Sequence, residues 1–170
     1  MSYDKEKCEL MFKHGCAFAE CGKHCEIEPI SNEQKAGSFT IAGIVNSAFS
    51  CEIFLKTLLV ITGSTTPPHG HKLSGLWNDL ERQDSSLSDS IRLYIQNLFL
   101  SENTNLIDNL LAVDTISDAF YHWRYIYEDD KKPELRMNRI FIRSFRDILQ
   151  EICCEKIFEC SWNEYVTKNK

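Results

Sequence analysis

Three groups of side chains in this chain have types and spacings that could do chemistry. Arg136, Arg139, Arg143 and Arg146 recur at three and four residues, which puts them on one side of a helix, largely away from Phe141, Phe145 and Ile148. Such a row reads either as a solvated face balanced by Glu134 and Asp147 or as a phosphate-binding surface for RNA or a nucleotide. The second reading rests on guanidinium forks meeting phosphate oxygens two at a time. Cys21, His24 and Cys25 are zinc-ligand types, and the Cys21 to Cys25 spacing sets two thiols on one helical face. A structural zinc site normally pairs such a knuckle with a second, and neither Cys153-Cys154 nor Cys160 supplies it. The thiols therefore read as small residues buried where the first and last helices pack, and no metal is expected.

The third group is dispersed. Glu52 and Lys56 stand one helical turn apart inside an apolar run, and His122 and Arg124 alternate with Tyr121, Trp123 and Tyr125. Positions i and i+2 of a helix do not share a face, so His122 and Arg124 are not expected to act as a direct pair. Arg124 pairs instead with Glu128, or joins Glu52 and Lys56 in a buried polar network, because buried charges require partners. The chain has no phosphate-cradling glycine loop, nucleophile elbow or paired-carboxylate motif, and no cofactor is expected.

The elements that must position these residues follow from periodicity. A first helix is predicted from about Asp4 to Glu28 through Cys8, Met11, Phe12, Cys16, Ala19 and Cys25, stopped by Pro29. Ser31 and Asn32 offer N-caps for a second helix running to about Thr62, with Gly63 as its end signal. Ser64 to Gly70 cannot be helical. A short helix from Leu73 to about Arg82 buries Leu73, Leu76, Trp77 and Leu80. Ser85 to Ser88 separate it from a fourth helix through Ile91, Tyr94, Ile95, Leu98 and Phe99. The pattern resumes from Leu106 to Tyr127, and a last helix runs from Pro133 to about Phe158 with Phe141, Phe145, Ile148, Leu149 and Ile152 inward. The fold class is therefore all-α, an irregular up-and-down helical bundle of about six helices, with residues 1–170 as a single domain.

Composition narrows the partners. With 43% hydrophobic and 26% charged residues the balance is that of a globular protein, and a net charge of -6 argues against holding nucleic acid by overall basicity. The longest apolar stretch, Ile53 to Ile61, is broken by Lys56 and Thr57 and reads as too short to span a bilayer. No membrane partner and a cytoplasmic location are expected. Eight cysteines without a secretory signal read as reduced thiols.

The apolar run IVNSAFSCEIFLKTLLV at residues 44–60, Gly70-His71-Lys72-Leu73 and Arg124-Tyr125-Ile126-Tyr127-Glu128 together resemble the HEPN superfamily of small helical bundles, over roughly Glu33 to Glu128. The resemblance implies that the second helix and the helix ending at Tyr127 form an antiparallel central pair. It also implies that Gly70-His71-x-Leu73 caps the third helix, so that His71 is structural and accepts from exposed amides. Nuclease members of the superfamily carry an arginine followed after four to six residues by a histidine, and dimerisation brings two such motifs together to cleave RNA without metal. Histidine moves the proton and arginine meets the phosphate charge. Here Asp129, Asp130 and Lys131 occupy those positions, and no histidine follows His122.

The implied function is a non-catalytic module that binds a nucleotide, RNA or a protein partner, as a homodimer, in bacterial stress or phage defence. Its candidate ligand-binding residues are Glu52, Lys56, His71 and Arg124 with the row Arg136, Arg139, Arg143 and Arg146. The alternative, from a different class, is a toxin-like, metal-independent endoribonuclease whose atypical dimer-interface site uses Arg124, Glu128 and His122. Trp77, Tyr94, Tyr121, Trp123 and Tyr125 are the aromatic candidates for the dimer surface.

Overall fold

The computed structural model describes residues 3–27, 33–101, 113, 116–117 and 139–169, with the backbone alone at 27, 33–39, 99–101 and 139. Among them the chain is an all-α bundle without strands: α1 (Lys5–Ile27), α2 (Glu33–Thr62), α3 (Leu73–Gln83), α4 (Ser85–Ser101), α5 (Arg139–Phe158) and α6 (Trp162–Lys168). The segment read as a helix from Leu106 to Tyr127 lies outside the described residues except for Val113, Ile116 and Ser117, all buried. Of the last helix, the part before Arg139 lies outside them too.

Each end that positions the site has a local cause. Asp4 opens α1 by accepting from the Lys7 amide through Oδ1 at 3.0 Å. Gly63 closes α2 at φ 142°, a conformation that a side chain would strain, and lets the Ser64 amide reach the Leu59 carbonyl at 2.9 Å. The separator expected at Ser85 to Ser88 is instead the first turn of α4. Asp84 alone divides α3 from α4, and its Oδ1 takes the Leu87 amide at 2.9 Å, so the serines are free to enter the helix. α6 was not anticipated from periodicity. It is set by a capping box in which Ser161 Oγ accepts from the Glu164 amide and Glu164 Oε2 accepts from the Ser161 amide at 2.9 Å.

α2 is the axis of the bundle, packed by α1, α5 and α3. Its segment Thr40–Thr62 has a mean hydropathy of 1.7 over a stretch long enough to cross a bilayer, which corrects the reading that the apolar run is too short. The stretch Ile53 to Ile61 is only the C-terminal part of that segment, and the apolar positions before it were left out of the reading. That surface is used internally: 67% of its most apolar window is buried in the protein, as in the core helix of a bundle. Cys8, Phe12 and Ala19 of α1, Phe54, Leu55 and Leu58 of α2, and Phe141, Phe145 and Leu149 of α5 meet in the core. Trp77 joins it, 2% exposed, with its ring 5.9 Å from that of Phe145. Trp77 is thus a core residue and not part of an outer aromatic face, because the amphipathic stripe of α3 has only one side and that side is inward. α6 folds back so that Phe158, Trp162 and Tyr165 surround Phe12, with centroid separations of 5.5, 5.9 and 5.8 Å.

α1 and α2 run antiparallel and approach closely at glycine. The Gly15 carbonyl accepts from Ser50 Oγ at 3.0 Å, and a Cβ on Gly15 would sit 2.5 Å from Cε1 of the fully buried Phe54. Gly15→Ala is therefore expected to lower stability by about 1–3 kcal/mol through overpacking, read as a shift of the urea midpoint at unchanged slope. Wild-type stability in that variant would mean that the helices do not cross this closely.

Candidate functional site

Of the residues singled out by sequence, the structure brings Glu52, Lys56 and His71 together. Glu52 and Lys56 are one turn apart on α2, and His71 ends the Pro67-Pro68 loop just before α3. Glu52 Oε1 accepts from Lys56 Nζ at 2.9 Å and lies 3.0 Å from His71 Nδ1. The glutamate side chain is 3% exposed, the lysine 14% and the histidine 71%. A carboxylate oxygen accepts here, so Nδ1 is the donor of the pair and the ring turns Nε2 outward. Glu52 Oε2 is also buried and has no hydrogen-bond partner among the described residues. A buried carboxylate with one oxygen unserved is costly, so it holds its two donors firmly.

His71 does not cap α3, contrary to the expectation for Gly70-His71-x-Leu73. The cap position falls to Lys72, whose side chain makes no capping bond. Ser117 takes the free amides, through its carbonyl to Leu73 N at 3.3 Å and through Oγ to Ser74 N at 3.1 Å, with the Ser74 and Ser117 hydroxyls 2.7 Å apart. The imidazole is drawn to the buried Glu52 charge while a neutral hydroxyl suffices for the amides. No local sequence signal links Ser117 to a helix start more than forty residues earlier.

The arginine row divides. Arg136 lies outside the described residues, as does the side chain of Arg139. Arg146 is not on a solvated face: it is 2% exposed, donates from Nε and Nη2 to Asp147 at 2.9 and 3.2 Å, and from Nη1 to Glu26 at 3.0 Å and to Ser47 Oγ at 2.8 Å. Arg143 Nε reaches the same Glu26 oxygen at 3.0 Å. Burial on its own would lower the Arg146 pKa, but hydrogen bonds and charge from Asp147 and then Glu26 hold it above the usual arginine value. Gly22 makes the room, since a Cβ there would fall 2.7 Å from Ser47 Oγ and 3.2 Å from Arg146 Nη1. Periodicity around Phe141 and Phe145 missed this because it registers apolar positions and not the space a facing glycine leaves.

His122, Arg124 and Glu128 lie outside the described residues, and with them the expected union of Arg124 with Glu52 and Lys56. Among the described residues no group of three or more His, Cys, Asp or Glu side chains is placed to hold a metal ion. Cys21 is exposed, Cys25 half-buried, and Cys8, Cys51, Cys153 and Cys154 are buried. Burial raises the thiols: half-buried Cys16 is pushed up to about 11 and Cys154 to about 12, with Cys51 and Cys153 driven up as well. No family model, curated protein or solved structure matches the chain.

Two outcomes are expected. Arg146→Ala should destabilise the fold by about 3 kcal/mol or more, because it empties a buried site between three helices and leaves Ser47 and half of the Glu26 pairing unanswered. Calorimetry checks it, and a loss under about 1 kcal/mol would return Arg146 to a surface role. The thiols give a pH dependence: their folded pKa values lie above the unfolded value of about 8.5, so the folded state binds more protons in alkali. Their contribution is intact below that pH and is lost as pH rises toward 11. Urea midpoints should therefore fall between pH 9 and 11, and alkylation at pH 8 should mark Cys21 well before Cys51 or Cys153.

Proposed function

We propose that this chain is a HEPN-like helical module that binds RNA or a nucleotide through its phosphate, as a homodimer, in a bacterial stress or defence setting. The observation that carries this reading is the Glu52 cluster. A carboxylate buried in the central helix has its charge answered by Lys56 and His71, and it presents the imidazole to solvent. A buried charge costs stability, and an exposed imidazole held beside a lysine ammonium on one carboxylate suits an anionic ligand. The family's own Arg-to-His catalytic spacing is absent, so binding is proposed without that chemistry. Arg124, at the position where the superfamily meets phosphate, is the further contact in this reading.

The homodimer draws support from α4, whose Leu93 and Tyr94 are 57% and 47% exposed while Ile91 and Ile95 are buried. Aromatic and aliphatic area on the outer side of a helix suits an isologous contact.

Fluorescence anisotropy with labelled single-stranded RNA and with a labelled nucleotide tests the binding. Lys56→Ala and Arg124→Ala are each expected to weaken it about tenfold, the scale of one charge-assisted hydrogen bond to phosphate, and added salt should weaken it further. Retained affinity in both variants, or no binding by the wild type, would leave a protein partner as the ligand. Sedimentation at micromolar concentration reads the dimer, and a monomer that persists at every concentration would remove it.

A further inference from the structure

Two thiols meet at the turn that brings α6 back onto the bundle. α5 ends at Phe158, and Glu159 follows at φ 55°, the left-handed conformation that closes a helix. The Glu159 amide reaches the Glu155 carbonyl at 3.0 Å, which makes Cys160 the second residue past the cap. A residue in that place packs back on the last turn of the helix, and here that turn presents Cys154. Further on, the Trp162 amide donates to Glu151 Oε1 at 3.2 Å, so the chain after Glu159 runs back along one side of α5, from Glu155 past Cys154 to Glu151. Cys160 stands between those two anchors. After burial, the Cys160 thiol is the next influence that raises the Cys154 pKa, through its charge and through a side-chain hydrogen bond. Cys153 faces elsewhere: it donates to the Phe54 carbonyl of α2 at 3.5 Å. Cys154 is buried and Cys160 half-buried, so one thiol is open to a reagent and the other waits beneath it.

We propose that Cys154 and Cys160 form a reversible redox modification site, oxidised by a small-molecule disulfide, and that the bond between them pins α6 against α1. The Cys160 thiolate attacks one sulfur of the small disulfide, a mixed disulfide forms, the S–S bond of the reagent breaks, and one small thiol leaves with the Cys160 proton. The Cys154 sulfur then attacks the Cys160 sulfur, the mixed disulfide breaks, and a second small thiol leaves with the Cys154 proton. Two protein thiols are oxidised, and one disulfide is reduced to two thiols. A pool of reducing thiol runs the exchange backward. Glu151, Glu155, Glu159 and Glu164 outnumber Lys156 at this turn, so the reagent that suits it is uncharged or cationic. The bond acts on a weakly held element. α6 has seven residues, and its hold on the bundle includes the rings of Trp162 and Tyr165 beside Phe12. Tying Cys160 to α5 removes states in which the Glu159 turn unwinds and α6 lifts away.

The test is incubation of the full-length protein with cystamine, alkylation of the remaining thiols, and mass spectrometry of the tryptic peptides. Cleavage after Lys156 separates Cys154 from Cys160, so a bond between them appears as two joined peptides. The expected product is that joined pair, with fragmentation placing the bond on Cys154 and not on Cys153, and dithiothreitol should reverse it. Amide exchange in α6 should be slower in the oxidised protein by about tenfold, as for a local opening that has been tied shut. Cys160→Ser is the informative variant, because its side chain is half-buried at a turn while Cys154 lies in the core. In that variant the joined peptides should be absent, and cystamine should leave exchange in α6 unchanged. Cys160 left capped by cysteamine with Cys154 still free, or joined to any other cysteine or to a second chain, would overturn the site. A Cys154–Cys160 bond that leaves α6 exchange as it was in the reduced protein would overturn the pinning of α6.

Discussion

Helix α2 can lie at the centre of this bundle only if every polar group it carries inward finds a partner there. The helix is otherwise apolar enough to be at home in a bilayer, so water is not at hand to serve Ser47, Ser50, Glu52 or Thr57, all buried. Each is answered differently. Thr57 bonds back to the Ile53 carbonyl at 2.8 Å within its own helix, and Ser50 reaches across to the Gly15 carbonyl of α1. Ser47 accepts from Arg146 of α5, and Glu52 draws in Lys56 and the loop residue His71. The last three demands fix where α1, α5 and the α2–α3 loop must stand, and the apolar contacts then fill the space between them.

The close packing of α1 on α2 follows from the same requirement. A hydroxyl of α2 can reach a backbone carbonyl of α1 only across a short gap, and Gly15 and Gly22 provide it. Gly22 does more, because the volume it vacates admits the Arg146 head between two helices. An arginine in a core is tolerable when its donors are matched, and here Asp147, Glu26 and Ser47 match them. Lys23 continues the network to Asp147 at 3.5 Å and to Gln150 at 3.1 Å. The acidic residues of this chain thus partly serve its own cations, which lessens what its net charge says about outside partners.

Much of this was legible in the sequence. The inward faces of α3 and α5 were readable, because a one-sided apolar stripe has one place to go: Leu73, Leu76, Trp77 and Leu80 are all buried, and so are Phe141, Phe145, Leu149 and Ile152, with Ile148 half-buried at the edge of the stripe. The Glu52–Lys56 pair was legible from spacing alone. What escaped depends on distant residues or on the absence of a side chain. Arg146 looks like a surface arginine until Gly22 and Ser47 are set opposite it, and Ser117 looks like any turn serine until α3 arrives beside it. α6 escaped for another reason. It has only seven residues, too few for a period to register, and its signal is the Ser161-x-x-Glu164 box.

The two charged clusters on α2 differ in a way that bears on function more than their residue types do. At Arg146 every guanidinium nitrogen is engaged and the arginine itself is closed to solvent, with Asp147 and Arg143 at the rim half exposed. The Glu52 cluster is less evenly served. One carboxylate oxygen serves two donors while the other serves none among the described residues, and the imidazole it holds is mostly exposed. A balanced network rigidifies and gains nothing from a ligand, since any newcomer must first break a bond already made. At Glu52 the imidazole is both held by the carboxylate and open to solvent, while Lys56 stays paired and nearly buried behind it. Of the two, the α2–α3 junction is the one whose charged cluster opens to solvent through an exposed ring.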